Sequence, residues 1–145
     1  LEDLPAVVEL LIALYGDSKH AGYISADESS IEETVQMLLT NPSATVFVAT
    51  TNDDRVVGTV SGILYPLWLN RAHTTGQEMF WYVDPDHRRS KAGKLLFEAL
   101  ETWAKSDGAD SFAMASQSSP HQKRVNQIYE SKGYVPQETS YIKEL

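Results

Sequence analysis

Between Val83 and Leu96 the chain reads Val83-Asp84-Pro85-Asp86-His87-Arg88-Arg89-Ser90-Lys91-Ala92-Gly93-Lys94-Leu95-Leu96. This is a strand stopped by proline, a cationic loop of small residues and the start of an amphipathic helix. Pro85 has no N–H for a sheet ladder, and Leu95, Leu96, Ala99, Leu100 and Trp103 recur at helical spacing. The turn therefore occupies residues 86 to 91. Free N–H groups at the helix start, the positive end of the helix dipole, and the side chains of Arg88, Arg89, Lys91 and Lys94 together suit a di- or polyanionic ligand. Ser90, Ala92 and Gly93 leave its approach open. Without an anion the same four cations are mildly unfavourable where they stand, so charge alone leaves a solvated basic helix start as the alternative.

Composition narrows the setting of that loop. The chain has 145 residues, 42% of them hydrophobic, which suits one domain over residues 1–145. It has no cysteine, so disulfides, thiolate metal sites and cysteine nucleophiles are excluded. No stretch approaches the roughly 20 apolar residues of a membrane-spanning helix, and no spacing of His, Asp and Glu suggests a metal cluster. A formal net charge of -8 argues against nucleic-acid binding, so the cations at 88 to 94 are a local patch on an acidic protein. A cytoplasmic protein with no membrane, nucleic-acid or metal partner is the expectation.

Around the loop, the pattern predicts an ordered set of elements. Asp3 and Pro5 open helix one, with Leu4, Val7, Val8, Leu11, Leu14 and Tyr15 along one face. Ser30 and Glu33 form a capping box for helix two, which ends at Asn41-Pro42. Residues 45–51 and 55–65 read as a hairpin turned at Asn52-Asp53-Asp54, and Gly58 and Gly62 keep one face of its second strand thin. A looser segment from Pro66 to His73 leads into a strand over 74–83. Helix three follows the cationic loop and stops at Asp107-Gly108. A short strand covers 111–116, and Ser119-Pro120 opens a fourth helix that ends at Gly133. Two closing strands, around Tyr134 and over 141–145, complete an α/β protein of order ααβββαβαββ, a mixed sheet with helices on both faces. The ligand crevice is expected where the strand ending at Val83 feeds helix three.

With those residues in place the chain resembles the Gcn5-related N-acetyltransferase (GNAT) superfamily. That family's acyl-CoA motif runs strand, Val-x-Pro, Arg/Gln-x-x-Gly-x-Gly/Ala, helix, and Val83-Asp84-Pro85 with Arg88 to Gly93 falls in its register. A second family motif is matched by Ile128-Tyr129-Glu130-Ser131-Lys132-Gly133-Tyr134. The resemblance implies the acyl-CoA N-acyltransferase fold, with a mostly antiparallel central sheet and an opening strand that this numbering lacks, giving (β)ααβββαβαββ.

It also implies transfer of an acetyl group from acetyl-CoA to a primary amine of a small molecule, peptide or protein in a ternary complex. The backbone near Tyr82 and Val83 would hold the acetyl carbonyl and the pantetheine arm. Residues Arg88, Arg89, Ser90, Lys91, Ala92, Gly93 and Lys94 would hold the pyrophosphate, with Lys91 standing where the family has its first motif glycine. Gln122 or Asn126 would contact the pantetheine. Tyr129 would protonate the departing thiolate and Glu78 would deprotonate the amine. The acceptor pocket would form from residues 16–29, including Tyr15, Lys19, His20, Tyr23, Asp27 and Glu28. The family admits a homodimer through its closing strands. The alternative is an acyl-CoA-binding or protein-interaction module with this fold and little or no turnover.

Overall fold

A computed structural model of the protein describes residues 2–18, 22 and 24–145. Two helices come first, α1 (Leu4–Gly16) and α2 (Glu28–Thr40). Three long strands follow, β1 (Ala44–Thr50), β2 (Val56–Leu67) and β3 (Asn70–Val83). A short 3-10 turn, Pro85–His87, then leads into α3 (Ala92–Ser106), β4 (Ser111–Ala113) and α4 (Gln122–Ser131). The sheet order is β1-β2-β3-β4, antiparallel through β3, with β4 parallel to β3.

The two faces of the sheet are covered by different helices, as side-chain alternation along β1 dictates. Ala44, Val46 and Val48 join Val7, Leu11, Val35, Leu38 and Phe80 under α1 and α2. Phe47 and Ala49 join Val57, Val60, Val83, Leu96 and Leu100 under α3 on the other face. Gly62 lets α3 lie close, because a Cβ there would stand 2.8 Å from Leu100 Cδ1. Gly58, under Leu96, does the same one turn earlier. The thin face expected of β2 is therefore the bed of α3.

The local expectations are corrected in several places. Asp27, not Ser30, caps α2: its side chain accepts the Ser30 N–H at 2.9 Å, so the helix starts three residues earlier than the box predicts. Asp3 occupies the N-cap position of α1, but its side chain makes no capping bond. Ser119 ends as a turn residue whose carbonyl accepts the Gln122 N–H, and α4 begins after His121. The segment read as loose is a continuation of the sheet, with Trp68 and Leu69 forming a two-residue turn between Leu67 and Asn70. Arg71 to His73 make an irregularity between the pairs Leu67↔Asn70 and Pro66↔Thr74.

No closing hairpin forms, since residues 134–145 contain no strand. Tyr134 turns inward instead, its ring 5.7 Å from Phe97 and its hydroxyl donating to Glu101 Oε2 at 3.0 Å. The polar run Pro136 to Ser140 leaves Tyr141 and Ile142 without an alternating apolar face to bury, and both are exposed. The strand expected over 111–116 stops at Ala113. That early stop shapes the site.

Candidate active site

β4 pairs with β3 over only three positions, Thr75↔Ser111, Gly76↔Phe112 and Gln77↔Ala113. Beyond them the chain leaves the ladder, so β3 from Glu78 to Val83 has one edge unpaired by β4, and a slot between the two segments would lie here. On its other edge β3 is irregular at the same level: Ser61 pairs with Phe80 and Gly62 with Glu78, so Met79 is an extra residue, a bulge. Sequence reasoning missed this bulge, because nothing in Gln77-Glu78-Met79-Phe80 departs from strand composition.

Glu78 and Tyr129, expected as a pair, meet on one residue. Ala115 N–H donates to Glu78 Oε2 at 2.9 Å, and the Tyr129 hydroxyl donates to the Ala115 carbonyl at 2.7 Å. Burial pushes the Glu78 carboxyl up from its ordinary value near 4.5 to about 7, against the Ala115 N–H, which favours the anion. Burial, followed by the nearby charges of Glu78 and Tyr134, drives the Tyr129 phenol far above its usual range, so it stays protonated at any working pH. The phenol ring lies in an aromatic cluster, 6.0 Å from Trp81 and 6.2 Å from Phe97. Among the described residues, Trp81 Nε1 and Ser116 Oγ are buried polar atoms without a partner.

The loop that follows β3 is built by its own side chains. Asp84 accepts the Asp86 N–H at 2.9 Å and fixes the turn that Pro85 opens. Ser90 donates to the His87 carbonyl at 2.6 Å and accepts the Ala92 N–H at 3.2 Å. The helical ladder of α3 starts with Leu95 N–H on Lys91 O, so the Gly93 and Lys94 N–H groups lack an intrahelical acceptor and face the approach to the helix end. Lys91 has φ -77° and ψ -4°, ordinary right-handed backbone. No residue of this loop has positive φ, so the conformation at position 91 does not call for glycine. Arg89, Ser90, Lys91 and Lys94 are exposed, and Lys94 lies 3.7 Å from Glu98. An anion fits this donor set.

Arg88 is placed differently from its loop neighbours. Its Nε donates to the Val83 carbonyl at 3.0 Å, Nη2 to Asp17 at 3.3 Å, and Nη1 lies 3.4 Å from His121 Nε2. The guanidinium also sits 5.3 Å from the centre of the Tyr82 ring, whose hydroxyl donates to the same Asp17 oxygen at 3.3 Å. One side chain thus joins the end of α1, the end of β3 and the start of α4. Asp17 and His121 were not singled out in the sequence, and only the long-range contacts reveal them. Gln122 is half-buried at the start of α4 and Asn126 is exposed one turn on. Of the expected acceptor pocket, Lys19, His20 and Tyr23 lie outside the described residues.

Comparison with known proteins follows the geometry. A model of the acetyltransferase (GNAT) family matches residues 5–134. No curated protein sequence matches the chain. Among solved structures, an acetyltransferase from Trypanosoma brucei superposes with a TM-score of 0.74 at 21% identity, covering 99% of this chain and 94% of that one. A ribosomal-protein-alanine N-acetyltransferase from Brucella melitensis biovar Abortus gives 0.73 at 22%, covering 99% and 93%. A mutant of a Bacillus halodurans protein gives 0.81 at 18%, covering 99% and 95%. At these identities the likeness is one of fold. Matched over residues 5–134 by the family's sequence pattern, the chain belongs to the acetyltransferase (GNAT) family.

Proposed function

We propose that the protein transfers the acetyl group of acetyl-CoA to a primary amine of a small molecule, peptide or protein, directly within a ternary complex. The observation that carries this reading is the convergence of Glu78 and Tyr129 on Ala115, where β4 parts from β3. The slot offers unpaired strand edge to an amide-bearing arm, and the free N–H groups at the start of α3 offer charge and donors to a diphosphate. Arg89, Lys91 and Lys94 supply the cations, and Gln122 or Asn126, one turn apart on α4, would contact the pantetheine arm. Arg88 acts by holding these elements in register. The absence of cysteine and the acidic surface suit the cytoplasm as its compartment.

The chemistry needs a neutral amine, a polarised carbonyl and a proton on the departing sulfur. The amine nitrogen forms a bond to the acetyl carbonyl carbon, and the carbon–sulfur bond breaks as the tetrahedral intermediate collapses. Glu78 takes the proton that nitrogen loses, and the thiolate leaves against the Tyr129 hydroxyl. A thiol of ordinary pKa about 8.5 is more acidic than this buried phenol, so complete transfer from Tyr129 is uphill. The phenol therefore contributes chiefly as a hydrogen-bond donor to the developing thiolate. The proton lost by nitrogen stays on Glu78 while CoA departs as a thiolate, and Glu78 then returns that proton to solvent.

Release of free CoA thiol from acetyl-CoA tests the reading, measured with and without a panel of amines that includes polyamines, amino sugars and peptide N-termini. Amine-dependent thiol release, with the acetyl group recovered on nitrogen, supports it. Tight CoA binding with no release for any amine would point instead to a binding module.

A further inference from the structure

We infer that Glu78 also works as a wedge: its side chain holds the slot between β3 and the chain after β4 open, and an acyl-CoA arm entering the slot takes over the Ala115 N–H and releases the carboxylate. The inference rests on the acyl-CoA reading given above and concerns how that site is kept ready.

Past Ala113 a side chain replaces the ladder. Through Gln77↔Ala113 the two strands are joined as an ordinary parallel pair, with a spacing of about 4.8 Å. Two residues later Ala115 N–H is joined to β3 again, but by the Glu78 side chain rather than by a backbone carbonyl. A carboxylate reaching out from β3 takes up space that a closed ladder would not leave. It therefore props the segment away from β3 while accepting the Ala115 N–H. The Met79 bulge bends β3 at the same level, so prop and bend coincide.

Ala115 is gripped on both sides, its N–H by Glu78 and its carbonyl by Tyr129. While that grip lasts, the carboxylate has one oxygen committed and the phenol has its only proton committed. The pantetheine arm of an acyl-CoA carries two secondary amides, and either carbonyl can accept the Ala115 N–H in place of the carboxylate. Exchange of one acceptor for another keeps the Ala115 N–H paired and frees the Glu78 carboxylate, whose next partner is the amine. Binding of the cosubstrate and availability of the base are then one event.

The test follows the Ala115 amide by nuclear magnetic resonance, using CoA as the probe. In the wild-type protein without CoA, the Ala115 amide proton should shift with pH as Glu78 titrates. Tyr129, the titratable group facing Glu78 from α4, stays protonated over this range, and E78Q should abolish the shift. In saturating CoA the Ala115 amide should cease to follow pH. CoA affinity by calorimetry gives a second readout. E78Q keeps the length of the prop with a weaker acceptor and should bind CoA about two- to threefold more tightly than wild type, whereas E78A loses the prop, lets the slot close and should bind CoA about three- to tenfold more weakly than E78Q. An Ala115 amide that still titrates in saturating CoA, or E78A binding CoA as tightly as E78Q, would overturn the wedge and leave the acyl-CoA reading standing. Failure of the wild type to bind CoA would overturn both.

Discussion

At the scale of single residues, Glu78 is a carboxylate whose ionisation is opposed by burial and only partly supported by one N–H. A base must be deprotonated to act, so acetylation should rise with pH through about 7, on top of the amine's own titration. Glu78→Gln should flatten that limb and lower kcat by roughly 10²- to 10⁴-fold, read from rate against pH with one amine. Stability carries the opposite sign. Between the ordinary value near 4.5 and about 7 the folded protein keeps a proton that the unfolded chain has lost, so stability falls as pH rises through this window. The full loss is on the order of 3 kcal/mol. Denaturant unfolding at pH 5 and pH 8 should show the fall in the wild type and a smaller one in Glu78→Gln. An equal fall in both would assign the pH dependence to other groups.

At the scale of elements, the cationic loop shows how a motif can be kept without its glycine. Position 91 is right-handed, so Lys91→Gly relieves no backbone strain and, by removing one cation, should weaken CoA binding about two- to fivefold, measured by calorimetry. A large gain in the glycine variant would show that the lysine side chain obstructs the diphosphate. Gly76 lies at the other end of the slot, where an added Cβ would come within 2.2 Å of the Phe112 ring and 2.8 Å of Leu64. Gly76→Ala should cost about 1–3 kcal/mol, the usual range for overpacking. It should also loosen the short β3–β4 pairing, seen as faster amide exchange at Phe112.

The elements that a local signal defines were legible in the sequence. The proline stop at 85, the apolar period of α3 and the Asp107-Gly108 terminus all act within a few residues. The family pattern singles out Glu78 and Tyr129 as candidates but carries no sign of their meeting at Ala115. What was not legible depends on distant partners. Trp68-Leu69 lacks turn chemistry, yet it closes a hairpin because the flanking strands pair. Tyr134 sits in a segment of strand-like composition but finds Phe97 and Glu101 instead of a strand. Asp17 and His121 lie in turns with no motif of their own and gain their place only from Arg88.

At the scale of the whole molecule, Arg88 links helix, sheet and helix across the mouth of the site, while Asp17 and its own side chain remain partly exposed. A half-exposed pair of this kind is worth less than about 1 kcal/mol, so Arg88→Lys should leave the fold intact. It should still weaken CoA binding, because a lysine cannot reach Val83, Asp17 and His121 together. We propose that β3, the loop at 86–94 and α4 together form one site for an acyl-CoA on this acidic protein. Thermal unfolding with and without acetyl-CoA tests it most directly. Ligand at a hundred times its Kd should stabilise the fold by about 2.7 kcal/mol and raise Tm by several degrees. An unchanged Tm at millimolar acetyl-CoA would contradict the account.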